Sequence, residues 1–351
     1  MDTLPRIAHD SGIMGDLFGV KRQRSWAALA VCGFFAVQSG CAETHTATSG
    51  SSDNPTVATP VTGRETVAKS ARSLQSTIEE AIKGFGGTVG VYVRRLGDET
   101  TVSIRADEVF PTASLVKVPI LLKVLDRVDK KELSWTAPLV YTKSRLYPGE
   151  DLLARFEDNQ KVSLPEIIFL MESLSDNTAS LWCQELAGGG PAINTWLDGK
   201  GFRQTRVNSR TPGREKDRDT WGWGQTTPRE MAELLVLIRE RRAVSPGADA
   251  YADRALGRSY WIDEAISSIP PSTHAITKQG AINASRSEVL LVSAPSGPFV
   301  VCVITKNQKD QSWNPTNEGF RLLRNITAIC WSHFEADRPF APAVDGPSWP
   351  K

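Results

Sequence analysis

The strand-like segments of this chain fall into two clusters separated by a long helical block, and that placement constrains the fold most. Thr88–Arg95 (TVGVYVRR) alternates and is rich in β-branched residues, Gly97-Asp98 supplies a turn, and Thr100–Arg105 reads as the paired strand. Far downstream, His274–Thr277 leads into Lys278-Gln279-Gly280, and Glu288–Ala294 and Phe299–Thr305 flank the turn Pro295-Ser296-Gly297. Between the clusters the patterns are helical. Val162–Leu174, Thr178–Leu186 and Ala192–Gly199 are expected as helices, with Gly188-Gly189-Gly190 closing the second. In the next helix Thr227 is a candidate N-cap, Pro228 takes the first position and Glu230 completes a capping box. Apolar positions at helical spacing predict further helices over Thr66–Lys83 and Thr316–Phe334. The order is helix, two strands, helices, three strands, helix. It predicts an α/β fold of the α+β type: a five-stranded antiparallel sheet flanked by helices, with an all-helical subdomain inserted over about Leu125 to Leu237.

The block after the first hairpin opens on FPTASLVKVPILL, Phe110–Leu122. Here Ser114 and Lys117 stand three apart at the head of an apolar run. On a helix beginning near Ser114 that spacing puts hydroxyl and amine on one face, a turn apart. A serine alcohol is a poor nucleophile until a base takes its proton, and a lysine can be that base once burial or a second cation lowers its pKa. The pair is therefore a candidate nucleophile and base, although S-x-x-K also occurs in chains where it does nothing.

Composition narrows the alternatives. The chain has 351 residues, 40% hydrophobic and 23% charged, an ordinary globular balance. A net charge of +1 gives no reason to expect a nucleic acid or an acidic partner. The four histidines are scattered and no Cys/His cluster has ligand spacing, so neither a metal nor another cofactor is expected.

The N-terminus reads as an export signal. Lys21-Arg22-Gln23-Arg24 is a basic segment, and Trp26–Val37 is an apolar stretch of 12 residues, too short to span a bilayer. Gln38-Ser39-Gly40-Cys41 follows and resembles a bacterial lipobox in which Cys41 is lipidated, with Gln38 in place of the usual aliphatic residue; plain secretion is the alternative. Met14 is an alternative start. The expected organisation is a signal over 1–41, a Ser/Thr/Pro-rich tether over 42–65, a catalytic domain over 66–336 and a Pro-rich tail over 337–351. Of the remaining cysteines, Cys302 and Cys330 are a conceivable disulfide, and three free thiols with Cys183 are the other option.

Two further motifs stand downstream of Ser114-x-x-Lys117: Ser175-Asp176-Asn177, 61 residues after Ser114, and Lys278-Gln279-Gly280, 103 residues after Ser175. The three in this order resemble the S-x-x-K, S-D-N and K-T-G set of the class A serine β-lactamase and penicillin-binding-protein superfamily. The resemblance covers about Thr66 to Phe334. It implies Ser114 as the acylated nucleophile, Lys117 as its base and Ser175 as the proton relay. It also implies substrate contacts from Asn177, Lys278, Gln279, Gly280 and Arg286, and an oxyanion hole from the backbone N–H groups of Ser114 and Ala281.

Two departures stand out. Gln279 replaces the usual Thr or Ser. The family's deacylating E-x-x-L-N, counted back from Thr227-Pro228, falls on Thr211–Glu215 (TPGRE), which lacks it. Glu215 is then the candidate deacylation acid, with Asp217 and Asp219 nearby, although a solvated loop is the simpler reading. The implied function is an exported, monomeric serine hydrolase opening β-lactam rings, with slow deacylation. Its alternatives are a D-Ala-D-Ala carboxypeptidase, transpeptidase or esterase on the same fold, and a non-catalytic envelope sensor lipoprotein. A β-lactam or a peptidoglycan stem is the implied substrate, with membrane contact only through the lipid anchor.

Overall fold

The computed structural model describes residues 61–341 apart from Glu99 and Glu150; the signal, Cys41 and most of the tether and tail lie outside the described residues. The elements run α1 (Val61–Ile82), β1 (Thr88–Arg95), β2 (Thr101–Ile104), β3 (Phe110–Pro111), α2 (Lys117–Asp129), β4 (Leu139–Val140), β5 (Lys161–Val162), α3 (Leu164–Ser173), α4 (Asn177–Leu186) and α5 (Gly189–Gly199). They continue β6 (Arg206–Val207), α6 (Glu215–Trp221), β7 (Gly224–Thr226), α7 (Pro228–Arg239), α8 (Pro246–Leu256), β8 (Ala275–Ile282), β9 (Ser285–Val292), β10 (Phe299–Lys306) and α9 (Glu318–Phe334). α1 begins at Val61, so the helix takes up the end of the stretch expected as tether.

The main sheet has the order β2-β1-β10-β9-β8 and is antiparallel throughout. The two terminal clusters meet where β1 pairs with β10 in the register Thr88↔Lys306 to Arg95↔Phe299. Strand alternation then sorts side chains onto two faces. Val91, Val93, Leu290, Val301 and Val303 pack with Leu74 and Ile78 of α1 and Leu323, Ile326 and Trp331 of α9. Tyr92, Val289, Leu291, Val300, Cys302 and Ile304 face the other way, toward α2 and α7. Both faces of β10 are covered, which is why FVVCVIT is apolar without a break.

α2 buries a broad apolar face and leaves Lys123, Arg127 and Asp129 at least partly open to solvent. Val118, Ile120, Leu121, Leu122, Val124 and Leu125 are all within 1% of full burial, as expected of the apolar face of an amphipathic helix turned into the core. It is the axis on which α4, α5 and α8 pack.

The inserted block is not all helical. β3, β7 and β6 form a small sheet and β4 pairs with β5. Pairs of two or three residues carry too little periodicity to be seen in sequence. Gly189 and Gly190 open α5 rather than closing α4. Thr227 caps α7 by accepting from the Glu230 N–H, but the Glu230 carboxylate accepts instead from the backbone N–H groups of Arg203, Gln204 and Thr205, tying that loop to the helix. Cys183, Cys302 and Cys330 are free and buried. Cys302 lies on the α2 face of the sheet and Cys330 on the α9 face, so the sheet itself separates them.

Candidate active site

The approach to Ser114 is held by backbone pairing. Phe110 lies opposite Thr226, and the Thr112 N–H donates to the Gly224 carbonyl at 2.9 Å. Ala113 adopts a left-handed φ of 44°, and Ala113–Val116 forms one 3₁₀ turn that runs directly into α2 at Lys117. Ser175 is left-handed too, with φ 61°. Such backbone costs a non-glycine residue about 1–3 kcal/mol and persists only where its surroundings impose it. Here one strained residue precedes the half-buried Ser114, and the other carries the second serine.

Lys117 is fully buried at the centre. Its Nζ lies 3.1 Å from Ser114 Oγ, 2.9 Å from Ser175 Oγ, 2.5 Å from the Ser175 carbonyl and 3.1 Å from Asn177 Oδ1. An ammonium has three N–H groups and a neutral amine has two plus a lone pair. Four oxygen neighbours therefore exceed what an ammonium can donate to singly, and a neutral Lys117 can accept from a serine hydroxyl. Burial, and after it the charge of Lys278, lowers the Lys117 ammonium from 10.5 to about 7.

The second motif is set by α4. Asp176 is its N-cap, accepting from the Ala179 N–H at 2.8 Å and from the Leu153 N–H at 3.1 Å. Asp151, which the sequence did not single out, accepts from the N–H groups of Asn177 and Thr178 and from the Thr178 hydroxyl. Two carboxylates on one helix N-terminus match the positive end of its dipole. The consequence for the site is that Ser175 and Asn177 are anchored on either side of Lys117.

The third motif lies on β8, the edge strand, whose outer backbone groups have no strand partner. Gly280 meets the Ser114 turn there. A Cβ on it would fall 2.8 Å from the Thr112 carbonyl oxygen, 2.7 Å from Ser287 Oγ and 3.0 Å from the Ser114 nitrogen, so only glycine fits. Lys278 is fully buried, with Nζ 3.1 Å from Ser175 Oγ and 3.0 Å from Gln279 Oε1. Its ammonium is lowered by burial, against which Glu172, Glu264 and Glu288 act. The Gln279 amide thus stands where a family hydroxyl is expected and is already engaged with Lys278.

Ser114, Lys117, Ser175, Asn177, Lys278, Gln279 and Gly280 are brought together, and Ala281 follows on the same edge strand. Arg286 is not among them. The β8–β9 register pairs Lys278 with Val289 and Ala281 with Arg286, which turns Arg286 to the α9 face. There its guanidinium lies over Trp313 and Phe320 and donates to the carbonyls of Ser285 at 3.0 Å and Ser312 at 2.6 Å. Glu215 is not among them either. It is exposed on the first turn of α6, where its carboxylate accepts from the Gly213 N–H at 3.1 Å. Asp217 pairs with Arg214 at 3.1 Å, and Asp219 is exposed. Thr211, where the count expects the family glutamate, is buried and donates to the Ser209 carbonyl.

Sequence reasoning also missed Glu172 on α3, which is 2% exposed. The signal was present: a glutamate one helical turn after Ile168 in an otherwise apolar run, three residues before Ser175.

The antiparallel sheet flanked by helices, with a serine, two buried lysines and a second serine at the edge strand, defines the penicillin-recognising class of serine hydrolases. The chain belongs to the β-lactamase enzyme family, whose family model matches residues 73–334, and is a serine β-lactamase-like hydrolase. It is 23% identical over 274 residues to β-lactamase VEB-1 of Pseudomonas aeruginosa, covering 75% of this chain and 90% of that protein. Among solved structures it is similar to the TLA-3 extended-spectrum β-lactamase, with a TM-score of 0.69 and 21% identity over 75% of this chain and 98% of that one. It is similar as well to a PBP-A mutant in an acyl-enzyme complex with penicillin G, with a TM-score of 0.66 and 22% identity over 77% and 97% of the two chains.

Proposed function

We propose that Ser114 opens β-lactam rings through an acyl-enzyme that deacylates slowly. Ser114 Oγ bonds to the lactam carbonyl carbon as neutral Lys117 takes its proton. The carbonyl oxygen gathers negative charge against the backbone N–H groups of Ser114 and Ala281. The C–N bond breaks, and the ring nitrogen receives a proton passed from Lys117 through Ser175. Lys278 and Gln279 hold the substrate carboxylate, and Asn177 holds the acyl side chain. Water then hydrolyses the ester, a step for which Glu215, exposed on α6, is not poised. The observation that carries the reading is the contact of the buried Lys117 amine with Ser114 Oγ, Ser175 Oγ and Asn177 Oδ1 together.

Intact-mass spectrometry of the protein with benzylpenicillin over minutes to hours tests it. An adduct on Ser114 that outlasts mixing supports both halves of the reading. A transient adduct with penicilloate accumulating keeps acylation and overturns slow deacylation. No adduct removes the β-lactam reading.

Buried Thr211 and exposed Glu215 favour a second reading on the same residues: acyl transfer from a D-Ala-D-Ala stem or an ester. Release of D-alanine or ester cleavage in the absence of β-lactam turnover is its signature. For the N-terminus we propose export with Cys41 lipidated and residues 42–60 as spacer, which radiolabelled palmitate incorporation, lost in Cys41→Ala, would reveal.

A further inference from the structure

Glu172 is a buried ionisable group that the mechanism above does not use. It lies on the last turn of α3, at the start of the segment that ends in Ser175, and is 2% exposed. Neither carboxylate oxygen has a hydrogen-bond partner among the described residues. No lysine or arginine pairs with it at contact distance, yet its charge acts on both Lys117 and Lys278. A buried carboxylate with neither hydrogen bond nor ion pair is costly. What compensates it is the field of the two buried lysines, of which Lys278 carries the charge in the acylating state.

We infer that Glu172 is a positioning residue, a carboxylate enclosed with Lys117 and Lys278 that keeps Lys278 cationic while Lys117 is neutral, and so sets the pH window in which Ser114 is acylated. The inference rests on the acylation reading above.

Charge balance gives the reason. Acylation needs an uncharged Lys117 and a charged Lys278. Two lysines alone would leave one net positive charge in a buried space, and burial would drive Lys278 to lose its proton as well. With Glu172 anionic, the state Lys117 neutral, Lys278 positive, Glu172 negative has no net charge. Burial raises the Glu172 carboxyl to about 7 against the opposing pull of Lys278 and then Lys117, so the anion is present above that pH. Other groups face the same space. Asp151 and Asp176 act on Lys117 from the α4 side, Glu264 and Glu288 act on Lys278 from beneath β8, and the Cys183 thiol on α4 feels Glu172. Three of the four other carboxylates have a structural duty, and Glu264, which has an unpartnered oxygen too, acts on Lys278 alone of the two lysines. Asp151 and Asp176 cap α4, Glu288 accepts from Thr277 Oγ1 and the Ala265 N–H, and Glu264 is beside Glu288. Of the five, Glu172 acts on both lysines.

Removing its charge should lower both lysines. Glu172→Gln in the full-length protein is therefore expected to move both limbs of the acylation-rate profile with benzylpenicillin to lower pH. A shift of one unit would make acylation about tenfold slower on the alkaline limb and about tenfold faster on the acid limb. A group that only packs would lower the whole profile without moving its limbs, and limbs left in place overturn the inference. Titration of ¹³C-labelled lysines gives a readout that needs no turnover: Lys117 and Lys278 should both titrate lower in Glu172→Gln. If the wild type fails to acylate, the proposed function falls while this titration still decides the role of Glu172. Should the variant not fold, ¹³C-glutamate titration of the wild type decides instead. A Glu172 carboxyl that is ionised by the pH at which Lys117 becomes neutral supports the inference, and one that stays protonated throughout the acylation window overturns it.

Discussion

The two halves of the candidate site are built differently. Around Lys117, groups from three separate parts of the chain converge on one buried space. The 3₁₀ turn, α2, the start of α4 and β8 each contribute a group, and two strained backbone positions hold the geometry. Around Glu215, the α6 segment spends its charges on itself. Glu215 accepts from Gly213, Asp217 pairs with Arg214, and no residue of α6 is buried. The first region has the preorganised, water-poor character that acyl transfer needs. The second is a solvated turn of helix. The groups proposed for acylation are enclosed together, and Glu215, the candidate base for hydrolysis, stands solvated and apart from them.

The contrast can be broken most directly at Ser114. Ser114→Ala should abolish the penicillin adduct in intact-mass spectra while leaving the thermal unfolding curve in place; an adduct of unchanged mass would move the nucleophile elsewhere. Next in size is Lys117. Lys117→Ala should slow acylation by about 10²–10⁴-fold, the contribution of a positioned general base. In the wild type only the neutral amine accepts the serine proton, and Lys117 titrates at about 7, below its ordinary 10.5. Acylation should therefore climb as pH rises through about 7, falling tenfold for each unit below it, and stopped-flow labelling with a fluorescent penicillin measures that limb. A flat profile would mean that Lys117 is not the base.

Smaller effects sharpen the comparison. Arg286→Ala removes a buried guanidinium that donates to carbonyls between β9 and the chain before α9, and should cost about 2–4 kcal/mol in chemical denaturation. Acylation by benzylpenicillin should change by less than about threefold, because Arg286 faces α9 and not the cleft. Glu215→Gln should have the smallest effect, less than about twofold on the lifetime of the acyl-enzyme, as expected of an exposed carboxylate. A marked lengthening of that lifetime would make Glu215 the missing base and bring the solvated region into the catalytic one.

Much of this was readable before any coordinates. β1 lies over Thr88–Arg95 as alternation predicts, and the Pro295-Ser296-Gly297 turn separates β9 from β10. The spacing of Ser114 and Lys117 places them a turn apart because the 3₁₀ turn passes into α2 without interruption. These features are local: a period of two, a turn residue, a spacing of three. Glu172 was overlooked because its meaning is not local. On α3 it is one glutamate among apolar neighbours, and only the approach of α2 and β8 gives it two lysines to act upon.

The chain's own pattern thus determined the elements, their order and the Ser114–Lys117 pair, because each depends on backbone preferences and hydrophobic periods within a few residues. Tertiary structure decided which of the designated residues share a space. Lys278 and Arg286 stand eight apart, yet the turn from Ile282 to Ser285 sets a register that sends them to opposite faces of the sheet. One residue more or less in that turn would exchange the faces, and no spacing rule within a strand contains that information. Cys302 and Cys330 are parted by the same sheet, and Glu215 is held outside by a hydrogen bond to its own helix entry. Such outcomes follow from strand pairing and burial over long sequence distances.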